Sequence, residues 1–197
     1  MEERIKRELT EAALVTQSLV NNHIGDIKKV VELVIQAYKE GGRVVMLGNG
    51  GSAADAQHIV AELVNYLYMP GRPMLDALAL TVNTSVLTAI GNDIGFENLF
   101  SRQIESLVTE KDVVIAISTS GNSPNVLKAI ESAKKVNAKI IGWTGKTGGK
   151  MADMESIDLL IKISSTDVAR IQEAHMKIGH IMCSLVEKEL FQEKRFK

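Results

Sequence analysis

The chain has 197 residues, of which 45% are hydrophobic and 24% charged, the balance of a globular protein large enough to bury a full core without disulfides. Its formal net charge is −1 and it has one cysteine, Cys183, so there is no argument for broad electrostatic attraction to nucleic acid and no disulfide framework. No apolar run is long enough to span a bilayer, and the charged opening Met1-Glu2-Glu3-Arg4 is unlike a secretion signal, so a cytoplasmic protein without membrane or nucleic-acid partners is expected.

Residues 1–40 read as two helices. Ile5, Leu9, Ala12 and Ala13 recur at helical spacing, as do Ile27, Val30, Val31, Val34 and Ile35. Asn21-Asn22-His23 with Gly25 marks the break, and Gly41-Gly42 ends the second helix. Arg43–Leu47 is then a short apolar run that suits a buried strand, and similar runs recur at Ala77–Leu80, Val113–Ile117, Lys139–Trp143 and Leu159–Ile163. Helical patterns lie between them at about 53–67, 84–90, 97–108 and 124–136. This alternation predicts an α/β fold, a parallel sheet covered by helices on both faces. A last helix over about 167–191 carries apolar residues on more than one side, including Ile171, Ile178, Ile181 and Leu185. That excess fits either core packing or subunit contacts.

Two loops follow strands, where ligands bind in open α/β sheets. Gly48-Asn49-Gly50-Gly51-Ser52 lets a ligand approach the backbone at a helix start, where N–H groups favour anions. An ordinary turn with Ser52 as N-cap is the competing reading. In the second loop Ser118, Thr119, Ser120 and Ser123 offer hydroxyls around Gly121 and Asn122, and Pro124 suits the first helical position. This loop suits phosphate, with simple capping by Ser123 as the alternative. Neither loop carries the lysine of the Walker pattern.

His58 and Glu62 stand four apart and share a helix face, a spacing that suits a metal site and equally an exposed helix surface. Gln172 and His180 are eight apart, a rise of roughly 12 Å. They reach one ion only if they lean together, and otherwise line two ends of one pocket. His175 points about 60° away from Gln172 and suits the core or a place behind the ligands, while His23 suits a turn or the surface. Glu62 and His180 are an acid–base pair of the type that moves a proton between neighbouring carbons through an enediol, with a cation to polarise the carbonyl. Asn92 and Asp93, in Gly91-Asn92-Asp93-Ile94-Gly95-Phe96, occupy a turn able to face sugar hydroxyls, or simply cap a helix.

These segments, with Asp55-Ala56-Gln57-His58, Glu62, Arg170-Ile171-Gln172-Glu173-Ala174-His175 and His180, resemble the phosphoheptose isomerases of the sugar-isomerase (SIS) domain family over nearly the whole chain. The resemblance implies one SIS domain over residues 1–197, with 1–40 a helical extension packed on it. The fold implied is a three-layer αβα sandwich with a five-stranded parallel sheet of flavodoxin-like type, N-terminal helices and a long C-terminal helix. It implies conversion of sedoheptulose 7-phosphate to D-glycero-D-manno-heptose 7-phosphate, for bacterial heptose and lipopolysaccharide precursors. It also implies a homotetramer with sites at subunit interfaces and one zinc ion per subunit. The zinc ligands carried over are His58, Glu62, Gln172 and His180, with Glu62 and His180 also catalytic. Substrate contacts carried over are Asn49, Gly50, Gly51, Ser52, Glu62, Asn92, Asp93, Ser118, Thr119, Ser120, Ser123 and Gln172. Some members carry an acid just before the Arg-Ile-Gln run, where this chain has Ala169. A group held tightly by zinc is a poor proton carrier, which sets the two roles of Glu62 and His180 against each other. The competing expectation is a non-enzymatic SIS protein that binds the bacterial replication initiator DnaA. Such proteins tend to lack acid and histidine at the positions of Glu62 and His180. A sugar-phosphate-sensing regulator is a third, without an attached DNA-binding segment here.

Overall fold

A computed structural model describes residues 1–191. The helices are α1 (Glu2–Asn22), α2 (Ile24–Lys39), α3 (Gly51–Val64), α4 (Thr84–Asp93), α5 (Ser101–Leu107), α6 (Pro124–Lys135) and α7 (Val168–Phe191). The strands are β1 (Val44–Gly48), β2 (Ala77–Ala79), β3 (Val113–Ser118), β4 (Lys139–Thr144) and β5 (Leu159–Lys162). All strand pairs are parallel, in the order β2-β1-β3-β4-β5. Register pairs Val44 with Val113 and Ile117 with Trp143.

The continuous apolar runs follow from burial on both faces. Met46, Ile115, Ile117, Trp143 and Ile161 join the core beneath α2, α3 and α7. Their neighbours Val45, Leu47, Val114, Ala116 and Ile140 point into a second core with Ile104, Val126 and Ile130. Three layers result, helices–sheet–helices, as the sequence predicts. Asp112, 2% exposed, closes the amino end of β3 by accepting from the backbone N–H of Arg43 at 2.8 Å and of Thr109 at 2.7 Å.

Some boundaries differ from the sequence expectation. α3 stops at Val64, not near 67, because Arg72 takes the carbonyls of Glu62 and Leu63 at 2.9 and 2.7 Å. α4 continues through Gly91 to Asp93, so Asn92 and Asp93 finish a helix and the turn comes at Gly95, with φ 95°. The expected 97–108 helix is a 3₁₀ turn, Phe96–Asn98, followed by α5. The Asn98 amide donates to the Ile94 carbonyl and its oxygen accepts from Lys128, which holds the tighter turn. A second 3₁₀ turn, Gly149–Asp153, has no helical periodicity to announce it. His23 lies between α1 and α2, with Nδ1 3.0 Å from Asp26, and it is the turn residue expected.

α1 buries only Leu19; Ile5, Leu9 and Leu14 remain 53%, 67% and 64% exposed. It is fastened to α7 by Arg170, which donates to the Glu8 carbonyl at 2.6 Å. Among the described residues, no helix is long and apolar enough to cross a membrane.

The carboxylate of Glu187 in α7 is 2.8 Å from the Arg72 guanidinium, with both side chains 1% exposed. Burial pushes the Glu187 carboxyl up, but hydrogen bonds from Arg72, Tyr68 and Leu67 outweigh it and hold the acid below its ordinary 4.5. The folded state therefore binds this proton less readily than the unfolded chain does. The stability it contributes is complete above pH 4.5 and is lost as pH falls through the lowered folded value. In urea titrations from pH 7 to 3, Glu187→Gln should be less stable at pH 7 and should flatten the acid limb. An acid limb of unchanged slope would refute the assignment.

Candidate active site

In the strand order found, the crossovers leave β1 and β3 in opposite directions, which makes their adjacent carboxyl ends the topological switch point. The two glycine- and serine-bearing loops lie there, each between one of these strands and its helix. They are joined by a reciprocal amide pair. The Asn49 amide donates to the Asn125 oxygen at 2.8 Å, and the Asn125 amide donates back to Asn49 at 2.8 Å. Asn125 is 1% exposed. Sequence reasoning missed it, although an amide next to Pro124 at a helix start was the available signal.

In the first loop Gly50 takes φ 54° and precedes α3, a backbone state that L side chains resist. A side chain at Gly51 would meet the Gln172 amide, whose Nε2 would lie 2.3 Å from its Cβ. Gln172 thus lies across the start of α3. Ser52 is inside the helix, 3% exposed and beneath Gly48; it is not the N-cap.

In the second loop the hydroxyls converge. Ser118 Oγ is 3.0 Å from Ser123 Oγ and 3.5 Å from Ser120 Oγ. Ser123 occupies the N-cap position of α6, but its side chain makes no capping bond. Its hydroxyl turns toward Ser118, against the simple capping reading. Gly121, with φ 66°, packs so closely on the next loop that a Cβ would lie 1.8 Å from the Gly148 carbonyl oxygen. The loop is thereby clamped between two backbones. Thr119, Ser120 and Asn122 line a cleft of about 250 Å³ with Lys146. That cation, 23 residues or more beyond the loop in sequence, is a second residue that sequence reasoning missed.

α3 and α7 meet on one face of the sheet. Gly179 packs on Ile59, whose Cδ1 would lie 2.4 Å from an added Cβ. This contact brings His58 and His180 together, Nε2 to Nε2 at 2.9 Å. Glu62 Oε1 is 3.4 Å from His58 Nε2. One ligand atom from each of His58, Glu62 and His180 lies within 4.8 Å of the others. Two imidazoles and a carboxylate are a zinc-type donor set. Tetrahedral bonds of about 2.0–2.1 Å separate donor atoms by roughly 3.3 Å, close to these spacings. Two imidazole nitrogens this near also want one shared cation or proton between them. The residues therefore fit a zinc ion.

Other sequence candidates fall elsewhere. Asn92 and Asp93 are exposed at the end of α4, and the Asn92 amide donates to Asp93 at 2.8 Å. His175 is fully buried against Trp143, the core position expected. Burial pushes its pKa down to about 4, against the raising effect of the Thr144 hydrogen bond. The Thr144 carbonyl lies 3.3 Å from Nε2, so the neutral ring carries its proton there. Asp55, one turn before His58, has a buried Oδ2 without a partner. Burial pushes its pKa up to about 6, opposed by His58.

Comparison with known proteins identifies the family. Residues 9–145 match the model of the SIS domain. The chain is 52% identical to the phosphoheptose isomerase of Clostridium acetobutylicum over 172 residues, 87% of this chain and 86% of that one. It is 48% identical to the phosphoheptose isomerase of Geotalea daltonii, over 99% of this chain and 100% of that one. Among solved structures, the phosphoheptose isomerase of Neisseria gonorrhoeae superposes with a TM-score of 0.88 at 38% identity, covering 95% of this chain and 98% of that one. The phosphoheptose isomerase of Francisella tularensis gives a TM-score of 0.90 at 31% identity, over 94% and 97% of the two chains. The chain is an isomerase of the SIS domain family and belongs, within it, to the phosphoheptose isomerases.

Proposed function

We propose that this enzyme interconverts sedoheptulose 7-phosphate and D-glycero-D-manno-heptose 7-phosphate in the cytoplasm, supplying heptose for bacterial lipopolysaccharide or related glycans. The working unit is a single SIS domain over residues 1–197. The observation that carries the chemistry is the meeting of Glu62 and His180, a carboxylate and an imidazole brought within 4.8 Å from two helices. The names of the relatives support the seven-carbon substrate. A protein that only binds a partner has no need of this pair, which weighs against the DnaA-binding reading.

Hydroxyls of Ser118, Thr119, Ser120 and Ser123 hold the phosphate, a group that does not react. Asn49, Gly50, Gly51 and Gln172 contact the rest of the substrate. Ser52, buried beneath Gly48, supports that loop instead of touching the ligand. Asn92 and Asp93, exposed at the end of α4, reach a substrate across a subunit contact of the tetramer. Glu62 removes a proton from C1 of the ketose while His180 gives one to the C2 carbonyl oxygen. The enediol then returns its O1 proton to His180, and Glu62 protonates C2 to give the aldose. When bound, a zinc ion held by His58, Glu62, Gln172 and His180 supplies Lewis acidity toward the carbonyl oxygen. One zinc per subunit and a homotetramer complete the reading. The uncovered apolar residues of α1 support assembly, because a single chain leaves Ile5, Leu9 and Leu14 in water.

Product identification after incubation with sedoheptulose 7-phosphate tests the reaction directly. Glu62→Gln and His180→Gln should each lower turnover about 10²-fold or more while the proteins stay folded. Near-normal turnover in both would reject the pair as the proton-transfer machinery.

Ser120→Ala should raise KM more than it lowers kcat, because the phosphate is bound equally in ground and transition states. A pure loss of kcat would move Ser120 from binding to chemistry.

Light scattering at micromolar concentration should return about four times the chain mass of 21.5 kDa. Leu9→Lys together with Ile5→Lys should shift the protein toward smaller species if α1 forms the contact. A monomeric wild-type protein would overturn the tetramer.

A further inference from the structure

Among the described residues, the most deeply buried ion pair stands beside the donor set without belonging to it. α3 leaves its last carbonyls without helical partners, as every helix does. Two of them, Glu62 and Leu63, accept from one terminal nitrogen of Arg72 at 2.9 and 2.7 Å. The Nε edge of the same guanidinium meets Glu187 of α7 at 2.8 Å. Its other terminal nitrogen donates to the Pro73 carbonyl at 2.8 Å, and its face is covered by the Phe191 ring at 5.6 Å. Glu187 also accepts from the Leu67 and Tyr68 N–H groups at 2.7 and 2.9 Å. One buried cluster thus connects the backbone of Glu62 to α7.

We infer that the Arg72–Glu187 pair is a positioning device, which sets the axial register of α3 against α7 and thereby the spacing of His58 and Glu62 from His180. The inference rests on the donor-set reading above. His180 and Glu187 are seven residues apart, two helical turns, and so occupy one face of α7. On α3 the guanidinium grips the carbonyl of the residue whose carboxylate is a donor. A slide of one helix along the other would separate the donors and break these bonds together. Burial of an ion pair gives little net stability over apolar substitutes. Arginine is suited to this place because its planar fork fixes direction at several acceptors. Lysine has the charge without the fork.

Zinc affinity of the full-length protein, measured by competition with a chromogenic chelator, reads the donor spacing without depending on turnover. Arg72→Lys and the apolar double variant Arg72→Met/Glu187→Met should fold, by circular dichroism, and bind zinc ten-fold or more weakly. That is the scale for removing groups that orient a ligand set. Ile130→Ala, in the core on the other side of the sheet, should lower Tm yet leave zinc affinity within two-fold. Wild-type affinity in folded Arg72→Lys, or an equal loss in Ile130→Ala, would overturn the positioning role. His58→Ala separates the two readings. If it loses zinc while Arg72→Lys does not, only the positioning role fails; if it retains zinc, the donor set itself is wrong. The unaltered protein gives a check that needs no variant, since coupling between binding events is reciprocal. Adding zinc should slow hydrogen exchange at the Leu67 and Tyr68 amides, and exchange unchanged by saturating zinc would also overturn the inference.

Discussion

The site depends on one packing constraint, the parallel contact of α3 with α7. Each of these helices follows a strand of the same parallel sheet, and both cover the same face. They must therefore run in the same direction, although more than 100 residues separate them in sequence. Contacts advance turn by turn along both: Gln172 over Gly51, then Gly179 on Ile59 with His180 beside His58, then Glu187 linked through Arg72 to Glu62 and Leu63. Glycine is what allows the approach at two of these points. A methyl group at Gly179 would overlap Ile59, forcing shifts in a close-packed interior at a cost of about 1–3 kcal/mol.

Around the site, the polar groups that join segments are buried, and two of the three clustered metal-type donors are open to solvent. Asn49–Asn125, Asp112 and Arg72–Glu187 each join segments distant in sequence. A buried polar group left without its partner costs about 1–3 kcal/mol, so each pair penalises any arrangement but its own. The residues that face solvent are of another kind. The side chain of His58 is 49% exposed and that of Glu62 22%, open enough to exchange protons and ions. Rigidity thus lies behind the clustered donors, where preorganisation can keep them within a narrow range of positions.

Much of this was legible in the sequence, because the signals were local. Five apolar runs and the helical periodicities between them give the sheet and its covering layers. The i, i+4 spacing places His58 and Glu62 on one face, and helical geometry turns His175 away from Gln172. What was not legible depends on distant partners. The reach from His58 to His180 is fixed by Gly179 packing on Ile59, and no spacing within α7 contains that contact. Arg72, Asn125 and Lys146 looked like ordinary loop and helix-start residues until folding brought their partners to them. The turn expected at Asn92-Asp93 comes further along the chain. Those two residues are helical, and the positive φ that ends the segment belongs to Gly95.

The architecture also assigns different work to the sheet and the helices. The loop after β3 gathers hydroxyls at a strand end and is clamped by Gly121 against Gly148. In the proposed reaction, hydroxyl and backbone donors there address the phosphate through direction as well as charge. They do so beside the single cation Lys146 among the residues of that cleft. The donor set instead uses side chains from two helices, which the fold can align without distorting the strands beneath. On the proposed reading, binding energy for the remote phosphate and placement of the reacting carbons are carried by separate elements. Remote binding of this kind serves catalysis by holding the reacting carbons against the acid–base pair. On the same reading, a fold that varied the helix donors while keeping the strand-end loop would retain its affinity for phosphorylated ligands and change only the chemistry performed on them.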